Sequence, residues 1–277
     1  MPPPVHQAHE AVLYQVDAFT KQPFRGNPAG VMVLEDAIAE ARMQHIAAEM
    51  NLAETAFLVK RAPHRYHLRW FTPTVEVELC GHATLASAHI LWEHGHVPAE
   101  ETIVFDTLSG ALMATPHDGQ IQLDFPATPP QPALLPNGVL ECLGLADPLY
   151  TGESVFDQFI EVASEEILHS LRPSLSRLRA LHLESKTRGV IVTCKAAHSG
   201  ADFMSRFFAP AAGVDEDPVT GSAHCALAPY WVGQLGRNPL IGYQASKRGG
   251  TVNVETKRDR VLLRGNAVTV FELNVLV

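Results

Sequence analysis

An internal repeat constrains the fold of this chain more than any other feature of its sequence. The first copy begins Arg-Trp-Phe-Thr-Pro at position 69 and continues through Gly-His-Ala-Thr-Leu-Ala-Ser-Ala to a tryptophan at 92. The second begins Arg-Phe-Phe-Ala-Pro at position 206 and continues through Gly-Ser-Ala-His-Cys-Ala-Leu-Ala to a tryptophan at 231. Self-similarity of this kind indicates that one supersecondary unit occurs twice. Two glycine-led helix starts therefore predict one site shared between two halves.

The sequence around the repeat predicts an α/β (α+β) fold of two pseudo-symmetric halves. Short strands flank helices that are apolar or small on nearly every face, one over residues 83–92 and one from 222 onward. Because a helix without a polar face must be covered on all sides, each half is expected to be a curved, mostly antiparallel sheet around a central apolar helix.

Prolines between 126 and 136 mark the clearest boundary in the chain. They divide it into a flexible tail over residues 1–10, an N-terminal half over 11–129 and a C-terminal half over 130–277. The active-site cleft is expected between the two halves.

Charge and composition argue against several classes of partner. The 277 residues carry a net charge of −9 and no run of lysine and arginine, so nucleic acid and anionic membranes are not expected partners. No apolar run approaches the roughly 20 residues of a membrane helix. The four cysteines are far apart, which favours reduced thiols in a cytoplasmic protein, and the first residues do not resemble a signal peptide.

The two proposed helix starts are candidates for binding a carboxylate. Gly81 opens the first helix, and Gly221 followed by Ser222 opens the second. The first turn of a helix leaves N–H groups unpaired and carries a partial positive charge. Two such ends at one cleft would bind a carboxylate. The alternative is that both are tight turns that merely enter a core helix.

Two acidic residues are candidates for proton transfer. Glu54 has apolar neighbours on both sides, so partial desolvation would raise its pKa toward the range that suits a proton shuttle. Alternatively, it is an exposed loop acid. Asp217 stands before Gly221 as Cys80 stands before Gly81, which makes it either a site residue or part of a solvated acidic loop.

The residues at the first helix start also allow two interpretations each. Cys80 directly precedes the helix, where a thiol pKa would be lowered, so it is either a proton-transferring thiolate or a small buried residue. His82 is either a proton donor with a near-neutral pKa or a residue of the helix cap. No motif anchors a cofactor, and no set of residues is spaced to bind a metal, so neither is expected.

Several blocks of the sequence, in order along residues 13–277, resemble the PhzF family, the phenazine-biosynthesis isomerase-like proteins. The blocks are Asp17-Ala18-Phe19-Thr20, Gly26-Asn27-Pro28-Ala29, Asn51-Leu52-Ala53-Glu54-Thr55, Phe71-Thr72-Pro73, Cys80-Gly81-His82-Ala83-Thr84 and Asp217-Pro218-Val219-Thr220-Gly221-Ser222-Ala223. The resemblance implies a diaminopimelate-epimerase-like fold, cofactor-free isomerase chemistry and a homodimer.

The resemblance also implies roles for individual residues. It places the general acid/base on Glu54, puts His82 and Asp217 in the lining of the site, and aligns the paired glycines with Gly81 and Gly221. Cys80 departs from the phenazine-pathway enzyme and resembles the first thiol of the epimerases, so the phenazine substrate is not carried over.

The sequence therefore predicts an isomerase that shuttles a proton on a small carboxylate-bearing metabolite. Glu54, His82 and Asp217 are its catalytic residues, and Gly81, Gly221, Ser222 and Cys80 bind the substrate. Two alternatives stay open: an amino-acid racemase or epimerase that uses Cys80 with Asp217, and a non-catalytic protein that binds a metabolite.

Overall fold

The computed structural model describes residues 10–197 and 200–276. Positions 1–9 of the predicted tail lie outside the described residues, while Glu10, the last residue of that predicted tail, begins the first strand. Within the described ranges, no helix combines the length and the apolar character that crossing a bilayer requires.

The described residues form seventeen strands and six α-helices. In chain order the strands are β1 (Glu10–Ala18), β2 (Asn27–Leu34), β3 (Glu54–Ala62), β4 (Arg65–Phe71), β5 (Glu76–Val77), β6 (Ile103–Thr107), β7 (Gly110–His117), β8 (Gln120–Pro126), β9 (Gln131–Pro132), β10 (Tyr150–Glu153), β11 (Asp157–Glu161), β12 (Gly189–Lys195), β13 (Phe203–Phe208), β14 (Leu240–Gln244), β15 (Gly250–Lys257), β16 (Arg260–Gly265) and β17 (Ala267–Leu276). The helices are α1 (Glu40–Met50), α2 (Gly81–Glu93), α3 (Val139–Leu143), α4 (Glu165–Ser170), α5 (Leu175–Ser185) and α6 (Gly221–Leu235).

Strand pairing follows the same order in the first and second parts of the chain. β1 and β2 are antiparallel, β2 and β3 parallel, β3 and β4 antiparallel, and β4 and β6 parallel. The run from β10 to β14 repeats this order. Helices supply the crossovers that parallel neighbours require. Most pairs are antiparallel, which confirms the predicted mixed α/β class with a mostly antiparallel sheet.

The helices α2 and α6 lie in the interior, as their apolar sequences predict. Nearly all side chains of α2 are buried, and the helix packs against β1, β2, β3 and β8. α6 packs against β14, β15 and β16 and is also mostly buried. Alanines in both helices let the strands approach closely, because their side chains take up little space.

Hydrogen bonds between strands join the beginning of the chain to its end. β17, the last strand, is antiparallel to β1 along its length. β8, which precedes the proline-rich boundary, is antiparallel to β16. The division at 129/130 stays a prediction. At these two ladders, backbone hydrogen bonds join strands that precede the division to strands that follow it.

The arginine and phenylalanine of each repeat copy support the loop that leads to the helix start. Arg69 donates two hydrogen bonds to Glu76, and its guanidinium lies 5.1 Å from the ring centroid of Phe71. In the second copy Arg206 donates two hydrogen bonds to the carboxylate of Glu216. Bidentate pairs of this kind fix geometry as well as charge. The repeat therefore positions the residues just before Gly81 and Gly221.

Candidate active site

The first residues of α2 and α6 meet each other in the structure. A Cβ atom added to Gly81 would lie 3.4 Å from the Cα atom of Gly221, and the reverse distance is also 3.4 Å. Cys80 and Thr220 precede the two helices in an extended conformation. Since the N–H groups of a first helical turn point along the axis beyond the helix start, both sets are directed into the same region. The predicted convergence of the helix starts is therefore present in the geometry.

A cavity of about 100 Å³ lies at this meeting point. All seven predicted site residues line it, together with eight others. The predicted residues are Glu54, Cys80, Gly81, His82, Asp217, Gly221 and Ser222. The structure thus brings together every candidate that the sequence identified.

Glu54 is the first residue of β3, where it pairs with Ala29 of the parallel strand β2. Its carboxylate Oε2 lies 3.2 Å from Nε2 of His82, without hydrogen-bond geometry, and its side chain is 17% exposed. Burial, with a smaller contribution from the nearby charge of Asp217, raises the pKa of Glu54 to about 8. Glu54 is therefore a buried acid rather than an exposed loop residue, and its pKa lies close to neutral pH.

His82 is almost fully enclosed, and burial lowers its pKa to about 3. The sequence-based expectation of a near-neutral pKa for His82 is wrong, because the charged imidazolium would lose its hydration here. The neutral ring lies between two groups: its Nδ1 is 3.5 Å from Sγ of Cys80, and its Nε2 is on the side of Glu54. A neutral imidazole can orient a carboxyl group or a substrate without carrying charge.

Cys80 does not have the low pKa that its place before a helix suggested. Burial raises the pKa of its thiol well above the ordinary value, and the neighbouring carboxyl of Glu54 raises it further. The expectation of a lowered pKa is therefore wrong, because desolvation outweighs the helix dipole at this position. Cys80 is a buried thiol in the wall of the cavity, which was the alternative interpretation.

Asp217 is held by two side chains, one on each carboxylate oxygen. Asn27 donates from Nδ2 to Oδ1 at 2.7 Å, and Thr220 donates from Oγ1 to Oδ2 at 2.5 Å. Burial raises the pKa of Asp217 to about 6, although both hydrogen bonds favour the charged form and lower it. The carbonyl oxygen of Asp217 accepts a further bond from Gln244. Asp217 is thus a fixed part of the cavity wall rather than a solvated loop residue.

Arg188 also lines the cavity, although the sequence analysis did not identify it. Its guanidinium donates two hydrogen bonds to the buried carboxylate of Asp157 and lies about 5 Å from the ring centroids of Phe156 and Phe207. Its positive charge lowers the pKa values of Glu54 and Asp217, in opposition to burial. Arg188 supplies the positive side chain that an anionic substrate would meet in this cavity.

The repeat offered a signal for Arg188. Strand register places Thr55 opposite Phe71 in the first copy and Val190 opposite Phe208 in the second. Because Phe71 and Phe208 occupy the same position of the repeat, Val190 corresponds to Thr55. Arg188 is therefore one position before the residue that corresponds to Glu54. The pseudo-equivalent strand starts therefore contribute a carboxyl group and a cation to the same cavity. Asn27, whose block was part of the family resemblance, carried no assigned role in the sequence analysis.

Three side chains form the one donor cluster for a metal found among the described residues. One ligand atom each from Glu54, Cys80 and His82 lies within 4.8 Å of the other two. A thiol must lose its proton to bind a metal ion, and burial opposes that loss at Cys80. These three side chains are therefore less suited to binding a metal ion than to forming an uncharged cluster that holds protons.

A second, apolar cavity of about 280 Å³ adjoins the polar one. It shares Leu79, Gly81 and Ser222 with the polar cavity, and Phe125 and Phe156 contribute to its apolar lining. The helix starts therefore separate a polar compartment from an apolar one.

Known proteins share both the sequence and the fold of this chain. The family model described as phenazine biosynthesis-like protein, PhzC-PhzF, matches residues 16–273. The chain belongs to the PhzF family. A protein of Halalkalibacterium halodurans that is named an uncharacterized isomerase is 52% identical over 268 residues, which cover 96% of this chain and 98% of that protein. The predicted resemblance is confirmed, and the predicted enzyme class agrees with the name of this relative.

Solved structures show the same family and the same fold. The crystal structure of a PhzF family protein from Enterococcus faecalis is 40% identical, covers 97% of this chain and 100% of its own, and superposes with a TM-score of 0.89. A probable proline racemase from Agrobacterium radiobacter, at 13% identity and a TM-score of 0.61, shares the fold alone over 96% of this chain and 92% of its own. The roles of the individual site residues stay predictions.

Proposed function

We propose that this PhzF-family protein is a cofactor-independent isomerase that moves a proton on a small carboxylate-bearing metabolite. In this proposal the two runs of strands are pseudo-symmetric halves, and the substrate binds between them. The observation that carries the proposal is the position of Glu54: a buried carboxyl with a pKa of about 8, in the same cavity as two converging helix starts.

The substrate carboxylate binds at the helix starts. The N–H groups of the first turns at Gly81 and Gly221 donate to it, and the partial positive charge of each helix start favours the negative group. Ser222 is at the same helix start and lines both cavities. The rest of the substrate extends into the adjoining apolar cavity, where apolar side chains contact it.

Glu54 transfers the proton. Its carboxylate form takes a proton from an activated carbon of the substrate, and the electron pair left behind delocalises into the adjacent unsaturated system. The resulting carboxylic acid then returns the proton to the same carbon or to a neighbouring one. A pKa near the working pH suits both steps, because the group must be present in both forms.

The neighbouring side chains orient the substrate and tune Glu54. Neutral His82 lies 3.2 Å from the Glu54 carboxylate and limits the directions in which it can point. Asp217, held by Asn27 and Thr220 in the lining of the same cavity, assists the transfer and raises the pKa of Glu54. Arg188, held by the buried carboxylate of Asp157, adds a positive side chain near the bound substrate.

The raised pKa of Cys80 argues against the rival racemase, in which a Cys80 thiolate would act with Asp217. A non-catalytic metabolite-binding protein stays the alternative from another class. The homodimer and the cytoplasmic location also stay predictions, since no contact or charge in the described residues bears on them.

Deuterium exchange tests the proposal. The protein is incubated in D₂O with a panel of small unsaturated carboxylates and amino acids, and incorporation at carbon is followed by NMR and mass spectrometry. The Glu54→Gln variant is expected to reduce incorporation by about a hundredfold or more, because glutamine cannot accept the proton. Glu49→Gln, which alters an exposed acid on α1, is the matched control and keeps the wild-type rate.

Two results would contradict the proposal. Incorporation at the wild-type rate by the Glu54→Gln variant would remove Glu54 from its role. A wild-type protein that exchanges no member of the panel, while one of them raises its melting temperature, would favour the metabolite-binding protein.

A further inference from the structure

A third cavity, of about 550 Å³, lies outside the candidate active site and shares no lining residue with it. Its walls come from the turn after β1, from the loop before β15 and from β8 and β15. Its lining includes the cations Lys21, Arg25 and Arg248 and the amides Gln120, Asn253 and Asn266. Its volume is in the range of cavities that hold small-molecule ligands.

The charge on the lining is positive and only partly compensated. Arg248 donates to the buried carboxylate of Asp17 and to two backbone carbonyls, so its charge is balanced inside the fold. Lys21 and Arg25 are exposed and form no ion pair within the described ranges. No carboxylate lines this cavity, although the chain as a whole carries a net charge of −9.

Side-chain amides form another, uncharged part of the lining of this cavity. Asn253 donates from Nδ2 to the side-chain Oε1 of Gln120 at 3.2 Å, and Gln120 donates from Nε2 to the side-chain Oδ1 of Asn266 at 3.4 Å. Amides carry both donors and acceptors, so this wall can contact hydroxyl or ring groups of a ligand without adding charge.

The backbone of this cavity holds a strained residue. Phe19 is 1% exposed and has a φ of 62°, a left-handed conformation that a bulky residue rarely adopts. In this conformation its carbonyl accepts a hydrogen bond from Thr251, which joins the turn after β1 to β15. Residues held in such conformations occur where the surrounding structure fixes the geometry of a ligand site.

We propose that this cavity is a second binding site, for a small organic or inorganic anion with two or more negative charges. Lys21 and Arg25 would pair with the charges of the ligand, and the amides of Gln120, Asn253 and Asn266 would contact its neutral part. Phosphates and polycarboxylates share this chemistry. The site is distinct from the carboxylate-binding helix starts, because none of its residues lies in that cavity.

Calorimetric titration of the full chain with pyrophosphate, AMP and citrate tests the proposal and separates phosphate from carboxylate ligands. The double variant Lys21→Gln/Arg25→Gln is expected to weaken binding of the preferred anion by about tenfold or more, because charge-assisted hydrogen bonds are lost. The matched control, Lys60→Gln/Arg61→Gln, neutralises two exposed cations elsewhere and keeps wild-type affinity. Circular dichroism of each variant checks that the fold is retained.

A third variant separates this site from the active site. Arg188→Gln removes the cation of the catalytic cavity and is expected to leave binding of the dianion unchanged. The opposite result would be that Arg188→Gln loses binding while Lys21→Gln/Arg25→Gln retains it. That result would place the anion at the helix starts and overturn the proposal. The proposal would also be overturned if none of the three anions binds. The same holds if the control variant Lys60→Gln/Arg61→Gln weakens binding as much as Lys21→Gln/Arg25→Gln does.

Discussion

Burial sets the protonation state of each titratable side chain in the candidate site. Glu54, Asp217 and Cys80 all have raised pKa values, and that of His82 is lowered, in each case with desolvation as the largest cause. At neutral pH the cluster of Glu54, Cys80 and His82 is therefore close to uncharged. Substrate binding adds a negative charge, which an uncharged cluster accepts at a lower electrostatic cost than an ionised one.

The raised pKa of Glu54 predicts that this residue lowers stability as pH rises. The folded protein keeps a proton, with a pKa of about 8, that the unfolded chain releases near 4.5, so stability falls as pH rises through that window. Glu54→Gln removes the titration and should stabilise the protein by about 3 kcal/mol at pH 7 but by only about 1 kcal/mol at pH 5. Urea denaturation at the two pH values measures the difference.

The result that would contradict this prediction is a Glu54→Gln variant whose stability relative to wild type does not change with pH. Glu49→Gln serves again as the control, because it makes the same substitution on the exposed surface of α1.

The thiol of Cys80 is predicted to be unreactive in the folded protein. It is 6% exposed and has a raised pKa, so little thiolate forms and little reagent reaches it. Iodoacetamide at pH 8 should leave the peptide that contains Cys80 unmodified in native protein and modify it fully in denaturant, as mass spectrometry would show. Rapid native labelling at this position would instead favour the racemase with a Cys80 thiolate.

At the scale of elements, the contact between the starts of α2 and α6 defines the site. Neither Gly81 nor Gly221 adopts a positive φ, so glycine is needed at these positions for the close approach rather than for backbone conformation. The absence of side chains leaves the N–H groups of both first turns open to a ligand.

Because of this contact, the free energy of unfolding should depend on the size of the side chain that replaces Gly81. Alanine places a Cβ 3.4 Å from the Cα of Gly221, which is contact without overlap, so Gly81→Ala should fold normally. The larger Gly81→Val overlaps the opposite helix start and should cost about 1–3 kcal/mol of unfolding free energy. Denaturant titration measures this. Gly233→Val, in α6 with open space around it, is the control for valine in a helix.

Equal stability of Gly81→Val and Gly233→Val would show that the two helix starts are free to separate, and the shared carboxylate site would lose its geometric basis.

At the scale of the whole molecule, two ladders join the parts of the chain on either side of the proline-rich boundary. β1 pairs with β17, and β8 pairs with β16, so the last strand completes the sheet that the first strand begins. Folding of either part therefore leaves long strand edges unpaired unless the other part is present.

Fragments divided at this boundary are predicted not to fold separately. Residues 11–129 alone keep the β1–β2 and β7–β8 pairs but lack β17 beside β1 and β16 beside β8. Residues 130–277 alone keep the β15–β16 pair but lack β8 beside β16 and β1 beside β17. Each fragment should lack a cooperative thermal transition, and the mixture should recover one, as followed by circular dichroism. Independent cooperative unfolding of either fragment would contradict this and would support a division at 129/130 into autonomous units.

The sequence by itself determined the repeat, the buried helices and the two glycine-led helix starts, because each is encoded in short-range patterns. Only the tertiary structure decided the protonation of Glu54, His82 and Cys80, since desolvation depends on neighbours that are distant in sequence. It also decided that Arg188 lines the cavity and that Asn27 holds Asp217, because both depend on contacts between residues distant in sequence. Local pattern fixes which elements form, whereas packing fixes the electrostatic environment in which their side chains act.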